Sequence, residues 1–138
     1  MRTTFSLALM LLILLLGAPK ASAQDGEGPY LFDLMKQPDY RKAWSEMVEG
    51  ETVPSWIGTF GTTLNATGAP VSEVSIAGQP YTLAWICEPH NCGDAQAYVL
   101  FAPQARQAWA LLLSEGTKQH WLGKPDDAVK AAILSGVQ

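Results

Sequence analysis

Two cysteines bracket four residues in the stretch Cys87-Glu88-Pro89-His90-Asn91-Cys92, and the chain has no others. A long apolar run, Tyr81 to Ile86, leads into this stretch, and another, Ala95 to Phe101, leads out of it after Gly93-Asp94. The pattern reads as strand, tight loop, strand. A connection this short places the two runs side by side as an antiparallel pair. If the cysteines pair, the loop is closed at its base and His90 stands near its tip. A side chain held there cannot fold back into a core, so it is presented outward. Pro89 beside it stiffens the loop.

Whether the cysteines pair depends on the compartment. Arg2 supplies a positive start, Leu7 to Leu16 an apolar stretch, and Ala21-Ser22-Ala23 a small-residue cleavage site. Residues 1–23 therefore read as a signal peptide, with a mature chain from Gln24. The apolar stretch is too short to span a bilayer as a helix. Export makes a disulfide chemically permitted, and two cysteines alone in an exported domain most simply pair with each other. Residues 24–138 are one domain's worth of chain and long enough to bury a core unaided. The bridge then reads as a local clamp on the loop rather than the main support of the fold.

The whole chain has 9 Lys+Arg against 13 Asp+Glu. Removing Arg2 and Lys20 leaves 7 against 13, so the mature net charge is −6 by this count. That argues against nucleic acid and against an anionic membrane surface as partners. It suits a basic partner, because opposite charge speeds encounter.

The coarse element reading is α+β. Tyr30 to Lys36 predicts a short helix ended before Pro38. Tyr40, Ala43, Trp44, Met47 and Val48 form one apolar helical stripe, with Asp39 at its start and Gly50 at its stop. Val53 to Gly68 is interrupted by Gly58 and Gly61 and reads as a surface segment entering the sheet as an edge strand. Ser72 to Ile76, Tyr81 to Cys87, Ala95 to Phe101 and Ala108 to Ser114 read as strands, the last with Trp109, Leu111 and Leu113 on one face. Turns are expected at Ala77 to Pro80 and Pro103 to Gln107. Gly116 to Gly123, with His120, Trp121 and Leu122, reads as a loop. A final helix starts at Pro125, with Asp126 and Asp127 in its first turn and an apolar face of Val129, Ala132 and Ile133. The architecture expected is an antiparallel meander of about four to five strands with an N-terminal and a C-terminal helix packed on it.

The chemistry narrows next. A glycan hydrolase wants two carboxylates flanking a cleft, and no acidic pair stands in a recognisable catalytic setting. A thiol oxidoreductase wants Cys-x-x-Cys at a helix N-terminus, whereas the spacing here is wider and the flanks are strands. Pairing removes a cysteine nucleophile. A structural zinc site takes four ligands including thiolates; Cys87, His90 and Cys92 supply three before oxidation, and His120 is the one further imidazole. A metal-binding exported protein is thus the weaker alternative, and no cofactor is implied. A histidine on a clamped, proline-stiffened tip points instead to a protein that plugs something, since a preorganised loop loses little entropy on entering a cleft.

These residues resemble a known family. Cys-x-Pro-His-x-Cys between two apolar strands, followed by Gly-Asp, is similar to the loop of the Ivy family, periplasmic inhibitors of vertebrate, C-type lysozyme. Pro38-Asp39-Tyr40 with Ala43-Trp44 and Met47 looks like that family's first helix. Val99-Leu100-Phe101 with Trp109 looks like its central strands. Trp121-Leu122-Gly123 with Pro125 to Val129 looks like its closing segment. The resemblance implies a non-enzymatic inhibitor located in the periplasm. Its loop, Cys87, Glu88, Pro89, His90, Asn91 and Cys92, would enter the lysozyme cleft, with Cys87 and Cys92 as the lock and His90 contacting the two catalytic carboxylates. Two positions depart from the usual loop: Glu88 stands where lysine is usual and Asn91 where aspartate is usual. The family's logic also allows an endogenous lytic transglycosylase as target, and leaves a homodimer open.

Overall fold

The computed structural model describes residues 28–137; the leader assigned to residues 1–23 lies outside them. The two apolar runs around the cysteines do lie antiparallel, in register from Thr82 opposite Phe101 to Cys87 opposite Gln96. In chain order the elements are α1 (Leu31–Leu34), α2 (Pro38–Val48), α3 (Ser55–Thr63), β1 (Thr67–Gly68), β2 (Ser72–Ile76), β3 (Gln79–Cys87), β4 (Ala95–Phe101), a 3-10 turn (Pro103–Ala105), β5 (Ala108–Ser114), β6 (Lys118–Leu122) and α4 (Asp127–Ser135). The sheet runs β1-β3-β4-β5-β6, and β2 pairs along β3 beside the two-residue β1. The class is α+β, as expected.

Helices cover both faces of this sheet. Ala84, Ile86, Ala97, Val99, Phe101, Ala110 and Leu112 face α1, α2 and α3, where Leu31, Trp44, Met47, Ile57 and Phe60 meet them. Leu83, Tyr98, Leu100, Trp109, Leu111 and Leu113 face α4 through Val129 and Ile133. Burial on both faces is why β3 to β5 read as nearly continuous apolar runs rather than strict alternations. Trp109, Leu111 and Leu113 share one face, as their spacing predicts.

The helical stripe holds: Ala43, Trp44 and Met47 are buried, with Tyr40 and Val48 half-buried beside them. Its cap differs from expectation. Pro38 takes the first helical position after Gln37, so Asp39 lies inside the first turn, where a carboxylate still favours the dipole. Gly50 follows the helix in the left-handed conformation, φ +73°. In α1, the Asp33 carboxylate accepts from the Lys36 ammonium and the Tyr30 backbone N–H, and both hold its pKa below the ordinary 3.8.

Three expectations are corrected. Ser55–Thr63 is a helix, not an edge strand; only Thr67–Gly68 of that region enters the sheet. Its glycines do not break it because tertiary contacts outweigh their propensity cost of about 1 kcal/mol each. Ile57 and Phe60 are fully buried, and burial of such side chains stabilises by roughly 1.5–3 kcal/mol each. Gly61 lies so close to Trp44 that a Cβ there would meet the indole at 3.1 Å. The glycine is a packing contact. Second, Lys118–Leu122 is a strand rather than a loop, paired with β5 from Ser114 opposite Lys118 to Ala110 opposite Leu122. Third, α4 begins at Asp127, and Pro125 precedes its cap; the Asp126 carboxylate accepts the Val129 N–H at 2.9 Å. The turn after β2 uses Ala77 and Gly78, both at positive φ, which matches the twist of a two-residue hairpin.

Candidate functional site: the clamped loop

The site is built at one end of the sheet, where β3 stops and β4 begins. Cys87 closes β3, fully buried, and its sulfur is bonded to Cys92 across a Cα separation of 4.9 Å. The Glu88 N–H donates to the Ala95 carbonyl at 3.0 Å, carrying the strand pairing one step past the disulfide. Glu88 to Asn91 then form a turn, closed by the Asn91 N–H to the Glu88 carbonyl at 3.0 Å. Proline occupies its second position and His90, at φ +65°, its third. That is the type II pattern, whose third position normally takes glycine or asparagine.

A histidine there is strained. A left-handed non-glycine backbone costs on the order of 1–3 kcal/mol and persists only where its surroundings over-determine it. Here they do. Pro89 presets the backbone before it, and Asn91 ties down the backbone after it. The Asn91 carbonyl accepts from Asp94 N–H (3.2 Å) and Ala95 N–H (3.0 Å). Its side-chain amide donates to the Glu88 carboxylate at 2.8 Å. Glu88 and Asn91, the two positions that depart from the usual loop, therefore bond to each other across the turn. His90 is exposed at the tip, while Glu88 and Pro89 are half-buried at its base.

Two neighbours not assigned to the site from the sequence stand beside it. The β5–β6 hairpin turns at the same end of the sheet, since Ala95 pairs with Ser114 and Ser114 with Lys118. The first turn of α3 lies there too. Between these and the loop runs a groove of about 330 Å³, lined by Trp56, Glu88, Asp94, Leu113, Glu115 and His120 among others. His120 is thus carried by a strand to the flank of the loop. Nothing in the local sequence announces this, because the approach is made by strand pairing.

The disulfide takes both cysteine sulfurs, so neither is a thiolate ligand or a nucleophile. Among the described residues no three His, Cys, Asp or Glu side chains gather as a metal site, and no helix is long and apolar enough to cross a membrane.

Fold and loop together define a class: a three-layer domain that displays a preorganised turn at its surface, held by a covalent clamp and a local hydrogen-bond network. The chain belongs to the family described as Inhibitor of vertebrate lysozyme (Ivy), whose model matches residues 39–134. It is 31% identical to a Pseudomonas aeruginosa protein named Inhibitor of vertebrate lysozyme, over 94% of this chain and 92% of that protein. It is 28% identical to the Escherichia coli K12 protein of the same name, over 79% of this chain and 68% of that one. An uncharacterized P. aeruginosa protein is 33% identical over 87% of this chain and 86% of its own length. The family is one of inhibitors, not enzymes.

Proposed function

We propose that this protein inhibits C-type lysozyme in the periplasm, as a single inhibitor domain of residues 24–138 freed from its leader. The clamped loop enters the active-site cleft and occupies the place of the glycan. The observation that supports this reading most is His90 itself: exposed, on the tip of a disulfide-closed turn, and held at a left-handed backbone angle of φ +65°.

The chemistry of the target completes the argument. A lysozyme works with one carboxyl that donates a proton and one ionised carboxylate that stabilises or attacks the sugar. An imidazole placed between them donates hydrogen bonds to both and ties up the proton that catalysis needs. A neutral imidazole has one N–H and the charged form two, so reaching both carboxylates as a donor requires the charged form. Hydrogen bonds to charged groups contribute about 1.5–3 kcal/mol each. The clamp contributes by having ordered the loop before binding.

The test is a titration of lysozyme with the mature protein, following cell-wall lysis. Inhibition should saturate at a fixed stoichiometry, and the protein alone should cleave no peptidoglycan. His90→Ala should cost on the order of 2–4 kcal/mol of binding, as for a central hot spot, and His120→Ala far less. Equal inhibition constants for His90→Ala and the unmodified protein would remove the histidine from the mechanism.

A further inference from the structure

We infer that Glu88 is a specificity-determining residue, selecting target clefts that carry an arginine or lysine on the lip beside the catalytic carboxylates. The inference rests on the loop-insertion reading above and adds the partner chemistry that the flank of the loop requires.

Glu88 is not free to swing away. Its carboxylate accepts the Asn91 side-chain amide at 2.8 Å, and its backbone is bonded to Ala95 and Asn91 on either side. The charge therefore stands at a fixed place beside the turn that bears His90. Glu88 lines the groove between the loop, the first turn of α3 and the β5–β6 hairpin. The other ionisable groups lining that groove are Asp94, Glu115 and His120. Glu115 is paired with Lys118 at 2.7 Å. Glu88 and Asp94 have no cationic partner among the described residues. The start of α3 brings the positive end of a helix dipole to the same groove, but this is equivalent to about half an elementary charge against two unpaired carboxylates. Trp56, half-buried on the groove wall, adds an aromatic surface of the kind that attracts a cation.

A tip that enters a pair of carboxylates carries Glu88 toward like charge. An acidic cleft with no cation nearby is penalised by that approach. A cleft whose lip carries a guanidinium or ammonium at the groove is favoured. The same residue thus rewards one target and disfavours another, which is how specificity is set.

The experiment compares the unmodified protein with Glu88→Gln against one vertebrate lysozyme and against variants of that lysozyme with its cleft-lip arginines and lysines neutralised one at a time, at low and high salt. Glutamine keeps an oxygen to accept the Asn91 amide and removes only the charge. Glu88→Gln should weaken inhibition roughly threefold to tenfold at low salt, chiefly through slower association. The difference should vanish at high salt, and a double-mutant cycle should couple position 88 to one lip residue. An unchanged inhibition constant, a loss independent of salt, or coupling to no lip residue would overturn the assignment. His90→Ala, measured in parallel, reports on tip insertion separately. If it is inert while Glu88→Gln shows the coupling, the failure belongs to the tip mechanism and not to Glu88.

Discussion

Replacing Cys87 and Cys92 together by alanine should separate what the clamp does for the fold from what it does for the loop. Alanine is the right probe because Cys87 is fully buried, and an unpartnered serine hydroxyl there would add a desolvation cost of about 1–3 kcal/mol of its own. The bridge spans a sequence separation of 5. For so short a loop the chain-entropy expression gives about 2 kcal/mol lost from stability. In a domain of this size that lowers the melting temperature by roughly 8 °C. The fold should survive, because six cross-strand pairs from Thr82–Phe101 to Cys87–Gln96 and helices on both faces hold β3 to β4 without the bond. The turn should not survive as a rigid unit. His90 pays for its left-handed backbone, and without the clamp that strain is relieved by opening. Calorimetry should therefore show one cooperative transition at the lower temperature, while inhibition, assayed well below it, weakens by about tenfold or more through lost preorganisation. Undiminished inhibition would refute the argument that a rigid tip is needed. Loss of the cooperative transition would show the bridge to be a staple of the whole domain.

Two further substitutions probe the backbone. His90→Gly relieves the left-handed strain, and should raise folding stability by roughly 0.5–1 kcal/mol in denaturant unfolding while abolishing tight inhibition; a destabilised variant would show that the strain at His90 is smaller than the entropy glycine adds to the unfolded chain. Gly123→Ala should destabilise by about 2 kcal/mol or more, since Gly123 has φ +80° and an added Cβ would lie 2.6 Å from the Ala108 carbonyl oxygen; an unchanged melting temperature would mean that the turn after β6 yields easily.

Much of this protein is decided by sequence alone, and the physical reason is periodicity. A helix or strand that must bury one or both faces announces it in the spacing of its apolar residues. The stripe from Tyr40 to Val48, the four strands between Ser72 and Ser114, and the apolar face of Val129, Ala132 and Ile133 are legible for that reason. So is the clamped loop, because two cysteines, a proline and a histidine within six residues admit few arrangements. The family follows from the same residues. Tertiary structure decided what periodicity does not encode. Ser55–Thr63 is helical because Ile57 and Phe60 fill a core and Gly61 admits Trp44, contacts that outweigh the glycines' local preference. Lys118–Leu122 is a strand because β5 offers it a hydrogen-bonding edge, whereas exposed Lys118, Gln119 and His120 carry no apolar signal of their own. The flank of the loop arises the same way: Trp56 comes from α3, and Glu115 and His120 from the turn and second strand of the β5–β6 hairpin, and only the sheet's pairing order and the packing of α3 bring them beside Glu88.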